Sequence, residues 1–177
     1  MSGERDRSGP DRLAARRFAE RAHAGQGYGD GPYTTHLDDV AEVLDEHGCP
    51  EPVVIAGLLH DTLEDTRTRP EELEAAFGQR VRRAVELVTD KPGRNRHERH
   101  EATYPAIAGD PDATQVKVAD RIANLRRSLA GDPGRLRRYL AEQDRFSELV
   151  RRPGVAEELW ATLDALVAEA RSEAGEH

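Results

Sequence analysis

The stretch Val53-Val-Ile-Ala-Gly-Leu-Leu59 holds no polar side chain, and it runs straight into His60-Asp61-Thr62-Leu63-Glu64-Asp65. A run of this kind is stable only when buried on every side, as a core strand or a buried helix. Pro52 suits a first helical turn, and the residues after Leu59 show no strand alternation, so the run is read as a buried helix. Such a helix delivers an imidazole and a carboxylate directly out of the core. Burying Asp61 is costly unless a partner or a metal compensates it. Asp120 repeats the situation, between Val118-Ala119 and Ile122-Ala123.

Helical spacing recurs along the rest of the chain. Asp11 is an N-cap for a helix carrying Leu13, Ala14, Phe18 and Ala22, which ends near His23 and Gly25. Leu37, Val40, Ala41 and Leu44 follow, with Gly48 as a stop. Pro70 opens a helix closed by Phe77-Gly78, and Val81, Ala84, Val85 and Val88 mark another. Tyr104 to Ala108 reads as a short helix. Val116, Val118, Ala119, Ile122 and Leu125 mark a longer one. Pro133 and Pro153 start the last two. Gly25 to Tyr33 has alternating glycines and reads as a loop, as does the basic segment Thr89 to Arg99. The glycines follow a helix rather than a strand, so a dinucleotide-binding turn is excluded. No strand or hairpin is predicted. The fold class is all-α, a compact helical bundle, with residues 1–10 a disordered tail and 11–177 a single domain.

Composition narrows the functional classes. At 177 residues the chain is one domain's worth. Thirty-four acidic residues against 26 basic ones give a net charge of -8, which disfavours a nucleic-acid partner. Only Lys91 and Lys117 are lysines; every other basic residue is arginine, the side chain suited to bidentate phosphate recognition. The single cysteine, Cys49, excludes an internal disulfide framework and a multi-cysteine metal site. No apolar run reaches the roughly 18 residues of a membrane span. The first residues lack the apolar core of a signal peptide, so the expected compartment is the cytoplasm. There is no nucleophile elbow and no Walker phosphate loop.

The informative residues are therefore His36, His60, Asp61 and Asp120, with Glu64 and Asp65 beside them. Two imidazoles and two carboxylates suit manganese, iron, zinc or magnesium better than a soft ion. Glu64 follows Asp61 by three and His60 by four, which places it on the same helical face, one turn on, where it can deprotonate a water that the ion acidifies. Each residue also has a plainer reading. His36 can be a surface or capped histidine, Asp120 a partner of Arg121 or Arg126, and Glu64-Asp65 an acidic helix end.

At these residues the sequence resembles the HD-domain metal-dependent phosphohydrolases. More narrowly, it is similar to the hydrolase domain of the RelA/SpoT (p)ppGpp enzymes and their small stand-alone (metazoan SpoT homologue-like) relatives. Gly57-Leu-Leu-His-Asp-Thr-Leu-Glu-Asp-Thr66 matches the family's A-L-L-H-D-T-V-E-D-T almost residue for residue. Val116-Lys-Val-Ala-Asp-Arg-Ile-Ala-Asn-Leu-Arg126 matches its V-K-L-A-D-K-x-x-N-L-R. Ala22-His23-x-x-Gln26, Pro32-Tyr33-x-x-His36 and Val85-x-x-Val88-Thr89-Asp90 align more loosely, and the whole spans Ala14 to Tyr139. The resemblance implies an all-α fold with a manganese ion (another divalent metal is possible) on His36, His60, Asp61 and Asp120. It implies that Glu64 and Asp65 activate water and that Asn124 supports the site. It implies a small-molecule nucleotide substrate that loses a 3′-phosphate or pyrophosphate. Arg96, with Lys91 and Arg99 near it, and Arg135 and Tyr139 are the implied substrate contacts.

One segment departs from the family. Where relatives carry a basic pair after the glutamine, this chain has Gln26-Gly-Tyr-Gly-Asp-Gly31, one residue shorter and without Arg or Lys. Tyr28 is then the candidate stacking surface for a base. The expected reaction is removal of pyrophosphate from (p)ppGpp. The competing expectations are the same chemistry on another nucleotide such as NADPH, and a non-catalytic metal- or nucleotide-binding module. The stripe Leu159, Trp160, Leu163, Leu166 reads as core packing or a homodimer face.

Overall fold

The computed structural model describes residues 11–175. The expected tail at residues 1–10 lies outside these, as do residues 176 and 177. The described chain is mostly helical, in the order α1 (Arg12–Ala22), α2 (Thr34–Glu46), α3 (Glu51–Leu59), α4 (Thr62–Asp65), α5 (Pro70–Phe77), α6 (Gln79–Val88), α7 (Arg96–Ile107), α8 (Pro111–Leu129), α9 (Pro133–Val150) and α10 (Glu157–Gly175). Between α1 and α2 lies a small antiparallel pair, β1 (Gly27–Tyr28) and β2 (Gly31–Pro32).

Helix α3 is the hub, as its sequence requires. Residues Val53 to Leu59 are all buried, and α1, α2, α6 and α8 pack around them. Helix α2 comes closest at Gly57. A Cβ there would lie 2.5 Å from Leu44 Cδ1 and 3.4 Å from Val40 Cγ1, so glycine sets the approach of the two helices. Helix α8 is the second axis, packed against α2, α3, α6, α9 and α10. Asp110 starts it by accepting the Ala113 amide at 3.0 Å, and Pro111 sits in the first turn. Trp160 and Leu163 of α10 are fully buried and Leu159 nearly so, which makes that stripe core packing in the single chain.

Four local expectations change. Residues 25–33 form a hairpin rather than a loop without regular structure, because Gly29 adopts φ +60° in the two-residue turn between the strands. Helix α7 starts at Arg96, not Tyr104. Asn95 caps it by accepting the Glu98 amide at 2.9 Å, a signal that the surrounding polar residues obscured. The last helix starts at Glu157 rather than Pro153, after Gly154 and Ala156 with positive φ. Helix α3 ends at Leu59, and His60-Asp61 form a corner before α4, so Glu64 is not carried on a continuation of the same helix.

Candidate active site

The corner after α3 turns two ligand groups toward α2 and α8. His60 is buried, and its Nδ1 lies 2.7 Å from the Gly57 carbonyl. That carbonyl accepts the Nδ1 proton and leaves Nε2 directed into the site. His36, in the first turn of α2, is also buried. Asp120 arrives from the middle of α8. His36 Nε2 is 3.2 Å from Asp120 Oδ1 and 3.7 Å from Asp61 Oδ2. His60 Nε2 is 3.1 Å from Asp61 Oδ2 and 3.7 Å from Asp120 Oδ1. The four atoms form a closed ring of alternating nitrogen and oxygen.

This ring fits a divalent ion. Neighbouring ligands around an octahedral ion with bonds of about 2.1 Å stand about 3 Å apart. His60 Nε2 is buried and has no aligned hydrogen-bond partner, although Asp61 Oδ2 is close, which is how ligand lone pairs sharing one centre are arranged. Charge points the same way. Burial disfavours an imidazolium at His60, but Asp61 and Asp120 outweigh it and raise the imidazole to about 9. Burial likewise opposes ionisation of Asp61, and the His60 charge overrides it, holding the carboxyl well below its usual range. Two carboxylates here draw in positive charge, from His60, from Lys117 and from an ion when one is bound. His36, His60 and Asp120 group as a potential metal site.

The supporting contacts are specific. Asn124 Nδ2 donates to Asp120 Oδ1 at 2.6 Å, and Asn124 Oδ1 accepts the Tyr28 hydroxyl at 2.8 Å. Tyr33 donates its hydroxyl to Asp61 Oδ2 at 2.6 Å and to Asp65 Oδ2 at 3.2 Å. Its ring stacks on His23, centroids 4.6 Å apart. Glu64 Oε2 accepts the Asp90 amide at 3.1 Å. Burial raises both the Glu64 and Asp65 carboxyls above their ordinary values.

A cleft of about 350 Å³ opens beside this centre. It brings together the candidates named from the sequence except Lys91 and Arg99, which do not line it, and His60, which lies beneath its floor. Arg96 reaches it but is already paired, Nε to Glu142 Oε1 at 2.8 Å. Arg135 donates to the Tyr28 hydroxyl at 3.1 Å and pairs with Asp132 at 3.4 Å. Tyr139 lies under the guanidinium groups of Arg96 and Arg121, at 5.8 and 5.1 Å from its centroid. Tyr28 is packed inward rather than free in a loop. Arg127 and Arg135 lie over its ring at 4.6 and 5.2 Å, and burial raises its hydroxyl to about 12. The basic segment is largely spent on internal pairs, Arg94 with Glu98 and Arg99 with Asp90.

Sequence reasoning missed Lys117, Tyr33, Asp90, His100 and Arg138, all of which line the cleft. Lys117 had a legible signal, since it precedes Asp120 by three on one helix. Its Nζ is 3.3 Å from Asp120 Oδ2; burial opposes its charge, but Asp120 outweighs burial and holds the ammonium above the usual range. The anticipated arginine partners of Asp120 are elsewhere. Arg121 donates to Gln143 Oε1 and to the Tyr139 carbonyl, both at 2.7 Å, and Arg126 pairs with Glu46. Burial lowers His100 to about 4, so it stands neutral in the cleft wall.

Known proteins resemble this chain. A human protein named guanosine-3′,5′-bis(diphosphate) 3′-pyrophosphohydrolase MESH1 is 43% identical over 120 residues, which is 64% of this chain and 67% of that protein. A Synechocystis protein named probable guanosine-3′,5′-bis(diphosphate) 3′-pyrophosphohydrolase is 34% identical over 173 residues, 92% of this chain. The chain spans only 23% of that longer relative. A solved structure described as a metazoan ortholog of SpoT that hydrolyzes ppGpp superposes with a TM-score of 0.76 at 26% identity, over 89% of this chain and 94% of its own. The sequence profile of the HD domain matches residues 15–156, a span that contains all four candidate ligands and the cleft. With the histidine–aspartate corner at the end of a buried helix and that match over most of its length, the chain belongs to the HD domain family.

Proposed function

We propose that this protein is a manganese-dependent phosphohydrolase that removes the 3′-pyrophosphate of (p)ppGpp. The closed ring of His36, His60, Asp61 and Asp120, with its two carboxylates lining a cleft that arginines also line, is the observation that carries this reading. The names of the relatives support the substrate class. When bound, the ion supplies Lewis-acid polarisation of a phosphoryl oxygen and acidifies water.

The chain's own residues do the rest. Glu64 and Asp65 stand at the cleft with raised carboxyl pKa values, and a base nearer neutrality is better matched to taking a proton from water. The water oxygen attacks the 3′-linked phosphorus. The bond from phosphorus to the 3′ oxygen breaks, and that oxygen keeps the electron pair and takes up a proton as pyrophosphate leaves. Arg96, Arg135 and Tyr139 face the anionic substrate, and Tyr28 and Asn124 close the wall nearest Asp120. The protein acts in the cytoplasm on a small-molecule nucleotide, without nucleic acid or membrane.

A nucleotide panel with purified protein and manganese tests this. The expected result is turnover of ppGpp to GDP and pyrophosphate, lost on Asp61→Ala. Comparable turnover of NADPH with none of ppGpp overturns the alarmone assignment. That second reading has one feature in its favour, the hairpin 27–32 without a single Arg or Lys. Wild-type protein that binds no divalent ion, or an Asp61→Ala variant with full activity, overturns the metal mechanism.

A further inference from the structure

Lysine is nearly absent from this chain, and one of its two lysines lies in the floor of the cleft. Lys117 is mostly buried, with its side chain 18% exposed. Its one ion-pair partner among the described residues is Asp120 Oδ2, at 3.3 Å. An ammonium carries three N–H donors, so two are left to face the cleft. The other cations that line it deeply are each tied to protein groups, with N–H donors left over. Arg96 is held by Glu142, Arg121 by Gln143 and the Tyr139 carbonyl, and Arg135 by Asp132 and the Tyr28 hydroxyl. Arg138 stands exposed at the rim.

The choice of lysine has a physical reason. Asp120 offers Oδ1 to the histidine side of the site and Oδ2 to Lys117. A guanidinium at this position would pair with both oxygens through its planar fork and compete for Oδ1. An ammonium is a point charge that engages one oxygen and leaves the other free. In a chain that uses arginine almost everywhere else, this is the position where arginine would disturb the ligand.

We infer that Lys117 is a catalytic residue that donates hydrogen bonds to the phosphoryl group undergoing transfer, while Asp120 holds it in place. It moves no proton. It meets the negative charge that builds on the non-bridging oxygens as water attacks, as a fixed cation in a water-poor site does. This rests on the phosphohydrolase reading above.

The test compares wild type, Lys117→Met and Lys117→Arg as manganese-loaded proteins. Metal content and affinity are measured by titration, pyrophosphate binding by calorimetry, and kcat and KM on ppGpp. Lys117→Met is expected to keep one metal per chain, to bind pyrophosphate at least tenfold more weakly, and to lose about 100-fold in kcat. Lys117→Arg is expected to recover pyrophosphate binding and to weaken metal affinity. If Lys117→Met does not fold, Lys117→Arg still reads the contact, because unchanged metal affinity in it contradicts the competition for Asp120. Unchanged pyrophosphate affinity and kcat in Lys117→Met overturn the inference. So do losses fully recovered by excess manganese, since Lys117 then serves only to orient Asp120. Wild-type protein with no affinity for pyrophosphate overturns it as well. Wild-type protein that binds pyrophosphate through Lys117 but turns over no nucleotide instead sinks the phosphohydrolase reading.

Discussion

Tyr33 carries more of the site than its position in a glycine-rich segment suggests. One hydroxyl proton is shared between Asp61 at 2.6 Å and Asp65 at 3.2 Å, so a candidate metal ligand and a candidate base are tied to the same ring. Stacking on His23 fixes that ring, and His23 in turn meets Gln26 at 2.9 Å. Gln26, matched to a family position by sequence, proves to act on the backbone, donating to the Asp65 carbonyl at 2.8 Å. Tyr33→Phe keeps the stack and removes only the hydroxyl. It is expected to weaken metal affinity about tenfold, as loss of a group that orients a ligand does. Metal titration of the variant checks this, with the metal-free melting temperature serving as the control for folding.

At the scale of elements, the site depends on how closely α2 approaches α3. His36 and His60 meet, ring centroids 5.2 Å apart, because Gly57 lets the helices close. The same Gly57 supplies the carbonyl that orients His60. Gly57→Ala puts a methyl group 2.5 Å from Leu44 Cδ1 and 3.4 Å from Val40 Cγ1, and both side chains are fully buried, so Leu44 must shift within the core. The expected loss is about 1–3 kcal/mol from overpacking. That corresponds to a fall in melting temperature of roughly 3–10 °C for a chain of this size, with weaker metal binding as the histidines separate. Thermal melts with and without manganese separate the two effects.

For the whole molecule, the candidate ligands come from three places far apart in sequence: His36 from α2, His60 and Asp61 from the α3–α4 corner, and Asp120 from α8. An ion held by all of them ties those elements together only in the folded state. Chelation is therefore expected to lower the melting temperature, and added manganese to restore it in a concentration-dependent way. A ligand at about 100 times its dissociation constant contributes about 2.7 kcal/mol. A melting temperature indifferent to chelator and to added manganese contradicts the assignment of the centre.

The sequence alone determined the helical fold and singled out His36, His60, Asp61 and Asp120 as candidate ligands. An apolar run that leads without strand alternation into a histidine and an aspartate reads as a buried helix, and a carboxylate at its end, like Asp120 among apolar neighbours, calls for a compensating partner or cation. These are local facts of burial and charge. Tertiary structure decided what long-range packing controls. It paired Asp120 with Lys117 rather than an arginine, spent Arg96 on Glu142, and folded Tyr28 inward onto Asn124 and two arginines. It also turned the helix at His60-Asp61, so that Glu64 reaches the cleft from a separate short helix. Spacing along a chain fixes which side chains share a helix face. Which cation answers which carboxylate is settled only when the helices meet.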